Sequence, residues 1–192
     1  MGTVDIVTKE YMRENAIFAD AFNYLIYGGK KVIDPAGLTE VDTATSAVGK
    51  KDALQKYRDV LKAAVIKQDE KMSYVLLGVE NQTDVHYAMP VRNAIYDALQ
   101  YGKQVSDIAA GHRRSQKDYS GKTGGEYLSG FFKEDHIKPV ITLVIHFGAE
   151  EWDGSLSLHE MMPIRDMEIL SYVENYSCLL YTSPSPRDIS GS

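Results

Sequence analysis

The chain predicts a single α/β domain, and three observations carry that reading. Two short apolar runs, MSYVLLGVE at 72–80 and KPVITLVIHFG at 138–148, are flanked by polar residues, the profile of strands buried on both faces. Segments with the helical apolar period stand before and between them. No internal repeat or linker divides the 192 residues, a length usual for one domain.

The elements follow in order. From Lys9 to Tyr27 the residues Tyr11, Phe18, Phe22, Leu25 and Ile26 recur at helical spacing until Gly28-Gly29 ends the pattern, which predicts a first helix. Its opposite stripe carries Ala16, Asp20, Asn23 and Tyr27. Residues 32–51 are turn-rich, with short extended pieces. Residues 51–71 read as a helix by period, with Leu54, Tyr57, Leu61, Ala64 and Val65 on one face. In the strand that follows, the period of two places Gly78, Glu80 and Gln82 together. The next helix, 88–105, opens with Pro90 in its first turn and turns Val91, Ile95, Ala98, Leu99 and Val105 inward. Its Asn93, Asp97, Gln100 and Gln104 stripe is a solvated face, unless Gln104 lines a cleft. A polar, glycine-bearing loop over 111–130 carries Arg113, Arg114, Lys117 and Lys122, and another helix begins within 152–162, where Trp152 is core or a turn anchor.

Composition narrows the function. At 44% hydrophobic and 25% charged the chain is ordinary globular protein. No leader-like apolar segment opens it and no run nears the length of a membrane span, so the expectation is a cytoplasmic protein without a membrane partner. The only cysteine is Cys178, which excludes disulfides and thiolate metal clusters. Lys+Arg 21 against Asp+Glu 27, a net charge of -6, excludes nucleic-acid binding by bulk charge and leaves local basic clusters.

Three motif matches fail. Ser120-Gly-Lys-Thr123 lacks the glycine a phosphate loop needs at position 116, which is Gln116. Leu158-His-Glu-Met161 lacks the second histidine of a zinc-protease helix. Asn81-Gln-Thr83 is a glycosylation triplet without a secretory signal. What remains is Glu80-Asn-Gln82 at the end of a buried strand, with Asp59 upstream. Metal-assisted phosphodiester cleavage wants such a set: two carboxylates to hold Mg²⁺ by oxygen, and a polar neighbour to orient water. Solvated strand ends and helix caps place acids in the same way.

The segments RENAIFADAFNYLIYGGKKVI, YRDVLK, YVLLGVENQTDVHYAMPVRNAIYDALQY and KPVITLVIHFGAEEWDGSLSLHEMM resemble the Rpn family of recombination-promoting, transposase-like nucleases in the PD-(D/E)XK superfamily. The likeness covers nearly all of residues 10–176. It implies a restriction-endonuclease-like α/β core, a central mixed β-sheet flanked by helices. It also implies a metal-dependent DNA endonuclease associated with recombination or mobile elements, using Mg²⁺ (or Mn²⁺ or Ca²⁺). Asp59 and Glu80 become catalytic metal ligands, Asp20 the helix acid that joins them, and Gln82 stands where the superfamily has lysine. Gln82 brings no positive charge to a phosphate. The resemblance also makes the segment after Asp59 a strand, against its helical period, closing an antiparallel hairpin across residues 69–71. Arg92 either contacts a backbone phosphate or pairs with Asp97 or Glu80, and Arg113, Arg114, Lys117 and Lys122 would grip DNA phosphates. The alternative is a nuclease-fold protein without cleavage, a DNA-binding or structural module.

Residues 1–176 are thus read as the nuclease-like domain, its C-terminal part missing. Residues 177–192, SCLLYTSPSPRDISGS, resemble a translated sequencing adapter and are expected to be a disordered tail, leaving an apolar edge near the end of the domain uncovered.

Overall fold

The computed structural model describes residues 3–41, 44–46, 55–57, 59–68, 71–115 and 119–182. Two helices come first, α1 (Thr3–Arg13) and α2 (Asn15–Tyr27), then β1 (Thr39–Glu40), β2 (Ala44–Ser46), β3 (Gln55–Tyr57), β4 (Val60–Gln68) and β5 (Lys71–Gln82). The long α3 (Met89–Arg114) and short α4 (Gly124–Ser129) lead to β6 (Val140–His146), α5 (Met167–Leu170) and β7 (Leu179–Thr182). The main sheet has five strands in the order β1-β4-β5-β6-β7, and β2 and β3 form a separate pair. It is mixed: β1, β4 and β5 pair antiparallel, while β5–β6 and β6–β7 are parallel. Helices on its faces complete an α/β domain.

The single first helix expected from Lys9 to Tyr27 is two helices. Glu14 is extended, with φ -66° and ψ 123°, and starts α2 afresh. The glycine stop is real: Gly28 at φ 59° and Gly29 at φ 86° take left-handed conformations that favour glycine. Val60–Gln68 is a strand, so the family resemblance prevails over the helical period. Register settles the matter physically, since every residue of β4 finds a partner on β5 from Val60↔Val79 to Gln68↔Lys71.

Alternation sends the two sides of the sheet to different helices. Val60, Ala64, Val75, Leu77, Val79, Leu143 and Ile145 join Met12, Phe18, Ala19 and Phe22 of α1 and α2 in the main core. The other side faces α3, with a small apolar cluster of Leu61, Leu76 and Val140 against Tyr101.

On α3 the expected inner and outer faces are exchanged. Val91, Ala98 and Val105 are exposed, whereas Asn93, Tyr96 and Gln100 are buried. The polar stripe packs inward because it has partners there. Thr142 Oγ1 donates to Asp97 Oδ1 at 2.8 Å, and the Tyr101 hydroxyl accepts the Val140 N–H at 3.1 Å. Gln104 accepts from Lys138 N–H at 2.7 Å and donates to its carbonyl at 3.1 Å.

Three further expectations change. Arg113 and Arg114 belong to the last turn of α3, not to a loop. The region after Trp152 forms only a 3₁₀ turn at His159–Met161, and Trp152 anchors a turn by donating to Gly154 O at 3.0 Å. Order does not stop at residue 177: Cys178 N–H donates to Leu156 O at 2.7 Å, and Leu179–Thr182 pairs along β6 from Leu143 to His146. That strand covers the β6 edge, whereas in the run expected to be uncovered Ile169 and Tyr172 are exposed and Leu170 is buried; residues 183–192 lie outside the described residues.

Candidate active site

The site grows from the β4–β5 register. With Val60 opposite Val79, Asp59 at the mouth of β4 falls beside Glu80 near the end of β5. Asp59 Oδ2 accepts the Asn81 N–H at 2.8 Å, and its Oδ1 lies 3.7 Å from Lys9 Nζ of α1. Glu80 points to the α3 side. Its residue is 1% exposed, and its Oε2 lies 3.2 Å from Arg92 Nη2. A carboxylate so buried needs a charged or hydrogen-bonding partner, and the second turn of α3 supplies one. Of the two acids offered for Arg92, the structure pairs it with Glu80.

Arg92 Nε also donates to the Tyr96 hydroxyl at 2.9 Å, the two residues being one turn apart on α3. Burial opposes the charge on Arg92, but Glu80, the Tyr96 hydrogen bond and Asp59 together raise its pKa. Burial and Glu80 likewise raise the pKa of the Tyr96 phenol. Arg92 is therefore a fixed cation attracted by both acids.

Gln82 sits two residues beyond Glu80 on the same face, opposite His146 of β6. Its carboxamide makes no hydrogen bond to another described residue. Around this end of the sheet, Asn81, the Nδ1 atoms of His86 and His146, and Asn93 Oδ1 are buried without a hydrogen-bond partner among the described residues. Buried polar groups normally carry a hydrogen-bond partner, which at this end of the sheet water or a ligand can supply. His146 Nε2–H donates to the Glu150 carbonyl at 2.9 Å, and its ring meets Trp152 edge-on. A Cβ on Gly148 would strike the His146 ring and the Thr83 carbonyl, so only glycine fits there.

Asp20 does not join this set. It is exposed on α2 and lines a cavity with residues of α1, β6 and β7, and neither Asp59 nor Glu80 lines that cavity. No three of His, Cys, Asp and Glu among the described residues converge as a metal-holding group. The basic residues also separate. Lys122 pairs with Glu134 and lies 4.4 Å over the Phe132 ring. Arg113 and Arg114 are exposed at the end of α3, where Arg114 Nε donates to Ala110 O at 3.2 Å. Lys117 lies outside the described residues.

Several structural roles escaped the sequence reading. Thr123 and Glu126 form a capping box on α4, so the Ser120–Thr123 motif serves a helix start and not a phosphate. The Thr-x-x-Glu spacing was the signal for it. Lys62, at 1% exposure, donates to Arg13 O and to Asn15 Oδ1 at 2.6 Å, closing the junction between α1 and α2. No local pattern announces that contact. His112 Nε2 lies 3.0 Å from Asp135 and its ring stacks on Phe132, tying the end of α3 to the segment before β6.

No family model matches the chain, and no curated protein or solved structure does. Among the described residues no helix is long and apolar enough to cross a membrane.

Proposed function

We propose that this protein is a metal-dependent DNA endonuclease of the restriction-endonuclease-like type, in line with its resemblance to the Rpn nucleases. The observation that carries the reading is the β4–β5 register, which sets Asp59 next to Glu80 at one end of the sheet, where Arg92 pairs with Glu80 and Asp59 adds a smaller attraction. Two carboxylates and the Gln82 carboxamide are a hard oxygen set that suits Mg²⁺ or Mn²⁺. Their shared attraction for one guanidinium displays the same demand for positive charge. In the absence of a third acid the protein would hold the ion by two carboxylates, as Mg²⁺ sites that share coordination with substrate phosphates do.

Asp59 and Glu80 would be the ligands, with Asn81 N–H fixing the orientation of Asp59. When bound, the metal supplies Lewis-acid polarisation of the phosphodiester and a more acidic water. Gln82 would orient a water beside the two acids through its carboxamide. Arg92, held by Tyr96, brings to the scissile phosphate the charge that a glutamine at position 82 lacks. Arg113 and Arg114 contact the DNA backbone further along.

A second reading, a nuclease-fold module without cleavage, has its own observation in the closed Arg92–Glu80 pair: a buried Glu80 shielded by Arg92 is also what a purely structural ion pair looks like. Plasmid nicking by the whole chain with Mg²⁺, Mn²⁺ or chelator, beside Asp59→Ala, separates them. Metal-dependent nicking that Asp59→Ala abolishes supports the enzyme. Equal activity in both proteins points to a contaminating nuclease, and none in either supports the module.

A further inference from the structure

On the sheet face opposite Glu80, α1, α2 and the ends of β6 and β7 enclose a cavity of about 380 Å³. Four of its ten lining residues are aromatic, Tyr11 from α1, Tyr24 from α2, Phe147 just beyond β6 and Tyr181 from β7, and apart from Asp20 the others are non-aromatic apolar residues. Asp20 is the only formally charged residue lining it, and among the described residues no Lys, Arg or His lies within ion-pairing distance of that carboxylate. Asp20 and Tyr24 are one helical turn apart and so share a face of α2, with Ala21 leaving room beside them. Tyr11 at 54% exposure and Tyr24 at 65% stand at the mouth.

The lining selects a ligand class. An anion meets Asp20 and the negative faces of the rings. A strongly hydrated metal ion requires several oxygen ligands, and one carboxylate among aromatic and apolar walls does not supply them. A neutral apolar molecule gains nothing from the carboxylate. A weakly hydrated organic cation is attracted by both the ring faces and the acid, and the volume falls in the small-molecule range. We propose that this cavity binds a small quaternary ammonium compound, a trimethylammonium head on a short chain, with Tyr11, Tyr24 and Phe147 around the head and Asp20 as its counter-ion. The proposal is independent of the nuclease reading, since Asp20 takes no part in the Asp59–Glu80 set.

Calorimetric titration of the whole chain with choline, against its uncharged isostere 3,3-dimethyl-1-butanol, tests it. Choline should bind, and the isostere should bind at least about fivefold more weakly, the scale of a cation–π contact joined to a counter-ion. Asp20→Asn and Tyr24→Ala should each weaken choline by a similar factor, while Tyr24→Phe keeps the affinity. Both positions are exposed, so these variants should keep the circular dichroism of the parent. Equal binding of choline and isostere, unchanged affinity in Asp20→Asn, or no choline binding at millimolar concentration would overturn the proposal.

Discussion

The two faces of the central sheet are built on different physics. Toward α1 and α2 the contact is apolar, with Phe18 and Phe22 fully buried against Leu77, Val79 and Leu143. Toward α3 it is polar: Glu80 meets Arg92, Thr142 meets Asp97, and Asn93 and Gln100 are buried as well. Apolar packing is non-directional and tolerates reshaping, whereas a buried polar face requires each group to meet a specific partner. One face therefore supplies stability, and the other holds charges in fixed places, as chemistry demands.

The contrast can be broken from either side. The largest effect belongs to the apolar face: Phe22→Ala should cost about 3–5 kcal/mol in denaturant unfolding, and a loss below about 1 kcal/mol would mean that the core is not centred there. Next comes the polar face. Arg92→Ala leaves the Glu80 carboxylate buried without its cation and should cost about 3 kcal/mol, recovered in good part when Glu80→Gln is added. Simple additivity of the two changes would deny the coupling. Thr142→Val keeps the shape but removes the hydroxyl that Asp97 accepts from, and should cost about 1–2 kcal/mol by the same measurement.

The smallest effect lies outside the sheet. Glu126 is held down to a pKa of about 2, first by the Thr123 N–H, then by the Thr123 hydroxyl and the Lys133 N–H. Because its folded pKa is below the ordinary 4.5, the stabilisation is fully present above that value and is lost as pH falls through about 2. The melting-temperature gap between the parent and Glu126→Gln should accordingly stay constant near neutrality and narrow across that acid window. A gap that widens there would reverse the sign.

What could be read from the chain divides along the same line. β5 and β6 were legible because their central stretches, 75–79 and 140–145, are mostly apolar and almost wholly buried on both faces. The existence of α3 was legible from Pro90 and its period, but its orientation was not, since Val91, Ala98 and Val105 of the expected inner face are exposed, whereas Asn93 and Gln100 are buried along with Met89, Tyr96 and Ala109. Hydrophobic patterning cannot foresee a helix recruited by polar partners on a distant strand. β4 shows the same limit, because Leu61, Ala64 and Val65 also satisfy a helical spacing that only pairing with β5 overrides. Asp59 and Glu80 were found as a pair by resemblance, and Arg92 remained open among three partners until the fold supplied one. Asp20 was assigned as the helix acid by resemblance, and the fold sets it on a cavity that neither Asp59 nor Glu80 lines.

The central claim is that Arg92, paired with Glu80, supplies positive charge beside the two acids proposed to hold a metal during DNA cleavage. Its most direct test is Mg²⁺ affinity and plasmid nicking measured together on the whole chain, Arg92→Ala and Arg92→Lys, each confirmed folded under assay conditions. The account predicts that Arg92→Ala binds Mg²⁺ more tightly, because the competing cation is gone, while nicking falls by about 10²–10³-fold, the scale of one lost transition-state contact. Arg92→Lys should recover part of the rate. Unchanged Mg²⁺ affinity together with undiminished nicking in Arg92→Ala would contradict it.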